Sequence, residues 1–94
     1  MAKLNITHNK DLNKFEVIIE GETAFVEYKP IKSNTWSIPH TLVPPSLGGK
    51  GIASELVKTL LEHCKKNKIK VIPECSFVEK YIQRHPEWQE LVMD

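Results

Sequence analysis

Cysteine, long apolar runs and any surplus of charge are scarce in this sequence, and each scarcity excludes a class of protein. The two cysteines, Cys64 and Cys75, are too few for a disulfide scaffold and lack the spacing of metal ligands. No apolar run approaches the ~20 residues that span a bilayer, and the first residues hold no hydrophobic segment of signal-peptide length. We therefore expect a cytoplasmic protein with no membrane partner.

The charges nearly cancel, which limits the ligands to expect. The 13 lysines and arginines oppose 12 aspartates and glutamates, for a formal net charge of +1. Nucleic-acid binding needs a concentrated basic face, so no nucleic-acid partner is expected, whereas one small anion held by local groups is compatible. The acidic residues include no convincing pair for glycosidase or metal chemistry, so no metal site is expected. The 94 residues predict a single domain, 1–94.

The first half of the chain has the period-two pattern of β-strands. Apolar side chains recur at every second position over residues 15–19 and again over residues 24–28. Between these runs, Gly21-Glu22 suits a type II′ hairpin turn with glycine at its first central position. Lys29-Pro30 is expected to stop the second strand.

A third strand is predicted over residues 35–43. It ends at Pro44-Pro45, because proline cannot donate to a β-ladder. Residues 4–7 are a candidate edge strand. These strands follow one another through short connections, which predicts an antiparallel meander.

The second half of the chain predicts a β-α-β unit and a C-terminal helix. An apolar stripe with helical period begins at Ile52 and ends at Cys64, which we interpret as a core residue. A short strand over residues 69–73 follows, and a strand–helix–strand unit implies a parallel, right-handed crossover. Further helix is predicted over residues 76–84 and 87–92. The fold class is therefore α/β (α+β), an antiparallel meander followed by one parallel unit.

A glycine-rich stretch lies directly before the long helix. The first backbone N–H groups of a helix have no internal partners and carry partial positive charge, so they form an anion site. Gly48, Gly49 and Gly51 let the backbone approach a phosphate closely, and Lys50 can add charge. The stretch is neither a Walker loop nor a dinucleotide-binding G-x-G-x-x-G. By itself it fits a tight turn as well as a phosphate site.

Three blocks of this sequence resemble the GNAT N-acetyltransferase superfamily. Gly51-Ile52-Ala53, at the start of a long amphipathic helix, is similar to the acetyl-CoA signature (Arg/Gln)-x-x-Gly-x-(Gly/Ala). The blocks that look like the small single-domain GNAT-like proteins are residues 40–45, 49–53, and 73–78 with Tyr81-Ile82 and Arg84-His85-Pro86. The resemblance runs from about residue 15 to residue 92. One departure is Gly48, which stands where the superfamily usually has Arg or Gln.

The resemblance implies acetyl-CoA (coenzyme A) as the cofactor, and GNAT-like architecture around it. The residues implied to bind the pyrophosphate through backbone N–H groups are Gly48, Gly49, Lys50, Gly51, Ile52 and Ala53. The strand ending at Leu42 and Val43 would pair with the pantetheine arm, and its parallel neighbour would splay away to form a wedge for the thioester. A backbone N–H near Leu42 or Val43 would stabilise the developing oxyanion. Glycine at position 48 loses a side-chain contact near the pyrophosphate, whereas the backbone donors remain.

Three side chains are candidates for proton transfer, each with a structural alternative. His40 suits a general base, since histidine takes up a proton near neutral pH, or it bonds the backbone beside the two prolines. Cys75 follows the parallel strand at a predicted helix N-terminus, where it is a nucleophile, a general acid, or a small side chain lining the wedge. Tyr81 matches the tyrosine that many GNAT enzymes use as general acid, or it packs in the core. His63 is interpreted as structural, on a solvated helix face.

The resemblance implies an enzyme that transfers acetyl from acetyl-CoA to an amine by direct attack. The acceptor class stays open among a protein lysine, an N-terminus, a polyamine and a small metabolite. One alternative is a module that binds CoA or acyl-CoA without catalysis. Another is an interaction protein that has merely inherited the fold.

Overall fold

The computed structural model describes residues 4–49 and 51–93, which form one five-stranded sheet and two α-helices. The strands are β1 (Thr7–Asn9), β2 (Lys14–Ile19), β3 (Glu22–Lys32), β4 (Thr35–Leu42) and β5 (Lys70–Ile72). The helices are α1 (Ile52–Lys66) and α2 (Ser76–Arg84), and short 3-10 helices cover Pro45–Leu47 and Pro86–Leu91. The strand order is β1-β2-β3-β4-β5, antiparallel up to β4 and parallel between β4 and β5. This confirms the predicted meander, parallel unit and C-terminal helix.

Helix α1 packs across β2 and β3 because its apolar stripe is continuous. The buried residues of this stripe are Ile52, Leu56, Val57, Leu60, Leu61 and Cys64. They join the inward side chains of the sheet and Val78 and Ile82 of α2 in one core. Each fully buried aliphatic side chain contributes about 1.5–3 kcal/mol to this packing. Burial also raises the pKa of the Cys64 thiol to about 12, so Cys64 is a core residue, as predicted.

Strand β3 continues through Lys29-Pro30, where the sequence predicts its end. Its pairing with β2 ends at Glu27↔Lys14, so its second half pairs with β4 alone among the described residues. Register shifts flank Pro30 on both sides. Proline is tolerated at edges and bulges, and this local edge is why the strand is longer than predicted.

The turn between β2 and β3 is type I′ rather than the predicted type II′. Ile19 pairs with Glu22, so the central residues are Glu20 and Gly21, one position earlier than expected. Their φ angles are 52° and 80°, and a type I′ turn needs positive φ at both central positions. Glycine at the second position removes half of the steric cost.

An aromatic cluster anchors the edge strand β1, which spans Thr7–Asn9 instead of residues 4–7. The cluster consists of His8, Phe15, Tyr28, Trp36 and His63. His8 stacks on Phe15 at 4.1 Å between ring centroids and shares a 2.6 Å hydrogen bond with the Tyr28 hydroxyl. Trp36 stacks on Tyr28 at 3.6 Å and on His63 at 5.5 Å. The predicted solvated position of His63 is therefore wrong, because its ring covers Trp36.

Strand β5 is only three residues long and is held on its far side by the segment after α2. Val71 and Val92 form a parallel bridge, and the Met93 N–H donates to the Val71 carbonyl at 2.9 Å. The Lys70 ammonium donates to the Glu90 carbonyl at 2.6 Å. Beyond residue 85 the chain thus reinforces the strand that faces β4.

Candidate active site

Strand β4 pairs with β5 only over its first three residues, and this incomplete pairing produces a wedge. Thr35 to Ser37 pair with Lys70 to Ile72, after which the chain leaves β5 for α2 while β4 continues to Leu42. The wedge is therefore bounded by residues 38–42 of β4 on one side and residues 73–75 on the other. It is the splayed geometry that the family resemblance implies.

A β-bulge at Ile38-Pro39 lies where the two strands part. Between the pairs Lys29↔Ser37 and Glu27↔His40, β3 has a single residue, Tyr28, whereas β4 has both Ile38 and Pro39. A bulge bends its strand and increases the local twist, and proline has no N–H to give to a neighbouring strand. Burial changes at this point as well, since Ile38 is fully buried and Pro39 is exposed.

Cys75 lies inside the wedge, at the N-cap position of α2. Its N–H donates to the Ile38 carbonyl at 2.9 Å, and its thiol donates to Thr41 Oγ1 at 3.6 Å. Burial disfavours the thiolate, but the Thr41 hydroxyl and the backbone N–H groups of Val78, Phe77 and Thr41 outweigh it. The net effect lowers the pKa of Cys75 below its ordinary value. A thiol at this position exchanges its proton more readily than the buried Cys64.

Thr41 supplies two of those donors, although no motif in the sequence points to it. Its strand partner is the buried Val26, so the Thr41 side chain faces the α1 side of the sheet, and its N–H acts on the Cys75 sulfur. Because N–H directions alternate along a strand, the Leu42 N–H points toward β3 instead. Thr41 directly follows His40 in a predicted strand, so its side chain must lie on the opposite face. This alternation is the sequence signal that could have identified Thr41 as a site residue.

His40 lies on the opposite face of β4 from Thr41. It pairs with Glu27, and its ring centroid is 5.9 Å from that of Phe25, on the sheet face that α1 does not cover. Its side chain is exposed. In the described part of the chain, no hydrogen bond or ring contact joins His40 to Cys75 or Tyr81.

A cleft of about 240 Å³ opens beside the wedge at the start of α1. Its lining consists of Val43, Leu47, Gly48, Gly49, Gly51, Ile52, Ala53, Ser54 and Phe77. Most of the predicted cofactor-binding residues therefore share one surface; Leu42 lies outside this lining, and Lys50 lies outside the described residues. No carboxylate is among the described lining residues, so nothing there repels an anion.

The backbone of the glycine stretch leaves the start of α1 open to a ligand. Gly49 and Gly51 have φ angles of 78° and 74°, which only glycine adopts without strain. Gly51 is the N-cap and makes no side-chain capping bond, so side chains leave the first N–H groups of α1 unsatisfied. Gly48 has an ordinary extended conformation, and a Cβ there would lie 3.3 Å from the Pro45 carbonyl oxygen.

Tyr81 is in a second cleft, between α1 and α2. The lining of this cleft consists of Ser54, Phe77, Lys80, Tyr81, Arg84 and His85. The Tyr81 ring stacks on His85 at 4.2 Å, and burial, with a smaller contribution from Glu55, raises the pKa of its hydroxyl. Tyr81 follows Cys75 by six positions, or about 9 Å along the helix axis. The structure thus brings Cys75 and Thr41 together, and puts Tyr81 and His40 on separate surfaces.

Two further properties of the described residues bear on other classes of site. No helix among them has both the length and the apolar character needed to cross a membrane. No group of three or more His, Cys, Asp or Glu side chains within residues 4–49 and 51–93 is arranged to hold a metal ion.

Comparison with known proteins finds a family model, sequence relatives and a solved structure that each match most of this chain. The family model described as GCN5-related N-acetyl-transferase matches residues 14–91. Protein NATD1 of Xenopus tropicalis is 25% identical over 87 residues, covering 90% of this chain and 80% of that protein. The human protein NATD1 is 26% identical over 85 residues, covering 88% and 75%. An NMR structure of a GCN5-like protein from Staphylococcus aureus superposes with a TM-score of 0.77 at 29% identity, covering 99% of this chain and 91% of the other.

Proposed function

Because the chain belongs to the GCN5-related N-acetyltransferase family, we propose that it uses acetyl-CoA to acetylate an amine by direct attack. The observation that carries this proposal is the wedge between β4 and β5, which holds Cys75 and Thr41 and lies next to the cleft at the start of α1. A long, narrow ligand with a thioester at one end and phosphates further along fits this succession of surfaces.

The cleft suits the phosphates of CoA by its own chemistry. Unsatisfied N–H groups at a helix start attract anions, and the lining includes three glycines whose backbones a ligand can approach closely. The apolar side chains of Val43 and Phe77 border the same cleft and suit the start of the pantetheine arm. Backbone contacts supply the binding, which is consistent with glycine at position 48.

Inside the wedge, Thr41 and Cys75 have separate tasks. Acetyl-CoA, when bound, supplies an activated thioester. The Thr41 N–H faces the wedge beside the Cys75 sulfur, and with a thioester bound it would be shared between that sulfur and the carbonyl oxygen on which negative charge develops. Cys75 holds a proton at Sγ and releases it to the departing CoA thiolate. The proton lost by the attacking amine then returns through solvent, so no net proton remains on the protein.

His40 suits the acceptor side of the reaction. It lies on the uncovered face of the sheet, so an amine can approach from there while the cofactor occupies the helix side. A protonated amine must lose a proton before it attacks, and His40 is a base within the exposed part of β4. Its strand partner Glu27 adds a carboxylate to the same face, which favours a cationic acceptor.

The test is a binding and turnover series on the intact protein. Calorimetry with CoA is followed by acetyl-CoA turnover with a panel of amines: a lysine peptide, a peptide with a free N-terminus and a polyamine. We expect binding together with turnover of at least one amine. Binding without turnover would favour a CoA-binding module, and absence of binding would favour an interaction protein.

A mass measurement distinguishes direct attack from a covalent route through Cys75. A nucleophilic Cys75 would gain one acetyl group when the protein is treated with acetyl-CoA in the absence of an acceptor. We expect no adduct that an amine can discharge. Cys64 is the internal control, because its buried thiol with a pKa of about 12 stays unmodified in the folded protein. A dischargeable adduct on Cys75 would replace direct attack by a ping-pong mechanism.

A further inference from the structure

The cleft that contains Tyr81 continues the cleft at the start of α1. Ser54 and Phe77 line both, so the two surfaces meet along a line between the first turns of the two helices. The second cleft, of about 300 Å³, extends from this line toward the C-terminal end of α2. A ligand that fills the first cleft and is longer than it has this continuation available.

The continuation is basic. Lys80 and Arg84 lie four positions apart on α2, which puts them on the same helix face as Phe77. Both side chains are exposed, and neither lies within 4 Å of a carboxylate among the described residues. Two like charges at this spacing repel each other and weaken a helix. The helix dipole favours a cation at Arg84 in the last turn, but it gives no reason for Lys80 in the middle of α2.

The cleft has no acidic residue in its described lining, and the stacked rings of Tyr81 and His85 lie between it and a neighbouring groove that has two. Glu55 and Glu87 line a neighbouring groove on the far side of those rings, together with Lys58. Glu79 precedes Lys80 on α2 but is not among the residues that line the cleft. The positive charge is therefore directed into the cleft.

From these observations we infer that Lys80 and Arg84 bind the 3′-phosphate of CoA. The inference rests on the proposed use of acetyl-CoA, and it extends the site beyond the pyrophosphate. Along CoA the groups follow in the order thioester, pantetheine, pyrophosphate and ribose 3′-phosphate. Along the protein the surfaces follow in the order wedge, glycine cleft and basic cleft. A phosphomonoester carries up to two negative charges, and a guanidinium beside an ammonium is a good match for them.

The experiment crosses two ligands with a set of charge-removing variants. Affinities for CoA and for 3′-dephospho-CoA are measured by calorimetry on the wild type and on Lys80→Gln, Arg84→Gln and the double variant. Lys58→Gln is the matched control, because it removes the same charge from the neighbouring groove. Since the substituted side chains are exposed, all variants are expected to fold, which circular dichroism checks.

The expected result is a loss of affinity for CoA, which has the 3′-phosphate, and not for dephospho-CoA, which lacks it. The wild type should bind CoA about tenfold more tightly than dephospho-CoA, as a charge-assisted contact to phosphate predicts. Each single variant should weaken CoA binding by roughly threefold and leave dephospho-CoA binding unchanged, and the double variant should bind both ligands equally. Lys58→Gln should keep the wild-type preference.

Two results would overturn the inference in distinguishable ways. Equal affinity of the wild type for the two ligands, or equal losses for both in the variants, would remove the 3′-phosphate contact and leave the proposed function standing. If neither ligand binds to the wild type, the proposed function fails and the inference fails with it.

Discussion

The two halves of β4 contrast more sharply than any other neighbouring segments of the molecule. Residues 35–38, the closed half, are buried, and the strand pairs with β3 and β5 there. Residues 39–42, the open half, keep β3 as their strand partner and are mostly exposed. The bulge at Ile38-Pro39 separates the halves, so the same strand contributes to the core before the bulge and to the wedge after it.

The difference shows how a short chain combines a stable core with the proposed active site. The closed half takes part in the aromatic cluster through Trp36 and in the core through Ile38. The open half leaves one strand edge available to a ligand, which costs pairing but creates the wedge. We therefore expect substitutions in the closed half to change stability, and substitutions around the open half to change chemistry.

Trp36→Ala should give the largest effect and disrupt the closed half. Trp36 is 8% exposed and stacks on both Tyr28 and His63, so truncation leaves a large cavity. The expected loss is about 3–5 kcal/mol in the free energy of unfolding, a large share of the total for a small domain. Urea denaturation measures it, with Trp36→Phe as the milder control. A loss below about 1 kcal/mol would mean that the cluster does not stabilise the sheet.

Cys75→Ala should affect the open half, with little change in stability. If Cys75 is the proton donor, the variant should lose roughly 10²-fold in kcat but keep measurable turnover. The wild-type rate should fall at high pH as the thiol ionises, because its pKa is lowered, and the variant should lack this decline. Cys75→Ser should resemble Cys75→Ala, since a hydroxyl ionises far less readily. Unchanged kcat in both variants would exclude Cys75 from proton transfer.

Acidification should weaken the aromatic cluster that packs on Trp36 of the closed half, through His8 and His63. Burial lowers the pKa of His8 and of His63, and each is further lowered by nearby positive charge, including Lys10. The unfolded chain therefore binds more protons below about pH 6.5, so stability is full above that pH and is lost as the pH falls through the lower folded values. Urea midpoints measured from about pH 8 to about pH 5 check this. A double variant, His8→Gln with His63→Gln, should show a shallower pH dependence, and an equal dependence would contradict the assignment.

The smallest effects on stability and reactivity are expected from two separate threonine substitutions, one in each half of β4. Thr35 Oγ1 is buried without a hydrogen-bond partner among the described residues, so Thr35→Val should raise the free energy of unfolding by up to about 1 kcal/mol. Thr41→Val should give no such gain, because the Thr41 hydroxyl contacts the Cys75 thiol. It should instead raise the pKa of Cys75, measured as a slower alkylation rate near neutral pH. Identical responses of the two variants would remove the distinction between the halves.

Local patterns predicted the elements well wherever burial is periodic. The stripe from Ile52 to Cys64 gives α1, and the boundaries of α2 agree with the predicted residues 76–84. Errors occur where a residue is stabilised by distant partners. Pro30 is tolerated because β2 does not extend alongside it, and His63 is half-buried because Trp36 lies beneath its ring. Neither circumstance is visible within a few residues of sequence.

The candidate site also contains features that local sequence predicts and features that depend on contacts between distant residues. The glycine stretch can be recognised from its composition alone, and the resemblance to the family indicates Cys75 as a candidate. The contact between Cys75 and Thr41 spans 34 positions and depends on the parallel pairing of β4 with β5. Lys80 and Arg84 could have been noticed from their spacing on α2, but only the shared lining at Ser54 and Phe77 connects them to the glycine cleft.

The contacts that hold β5 on its far side come from residues 92 and 93, which has a consequence for assembly during translation. Three residues are too few to hold a strand in place alone, and β5 is secured by the bridge from Val92 and the bond from Met93. A ribosome delivers the chain from its N-terminus, so the meander and α1 can pack before these residues emerge. The second wall of the wedge and the last part of the core, which includes Trp88 and Leu91, are therefore expected to be secured together, once residues 92 and 93 have left the ribosome.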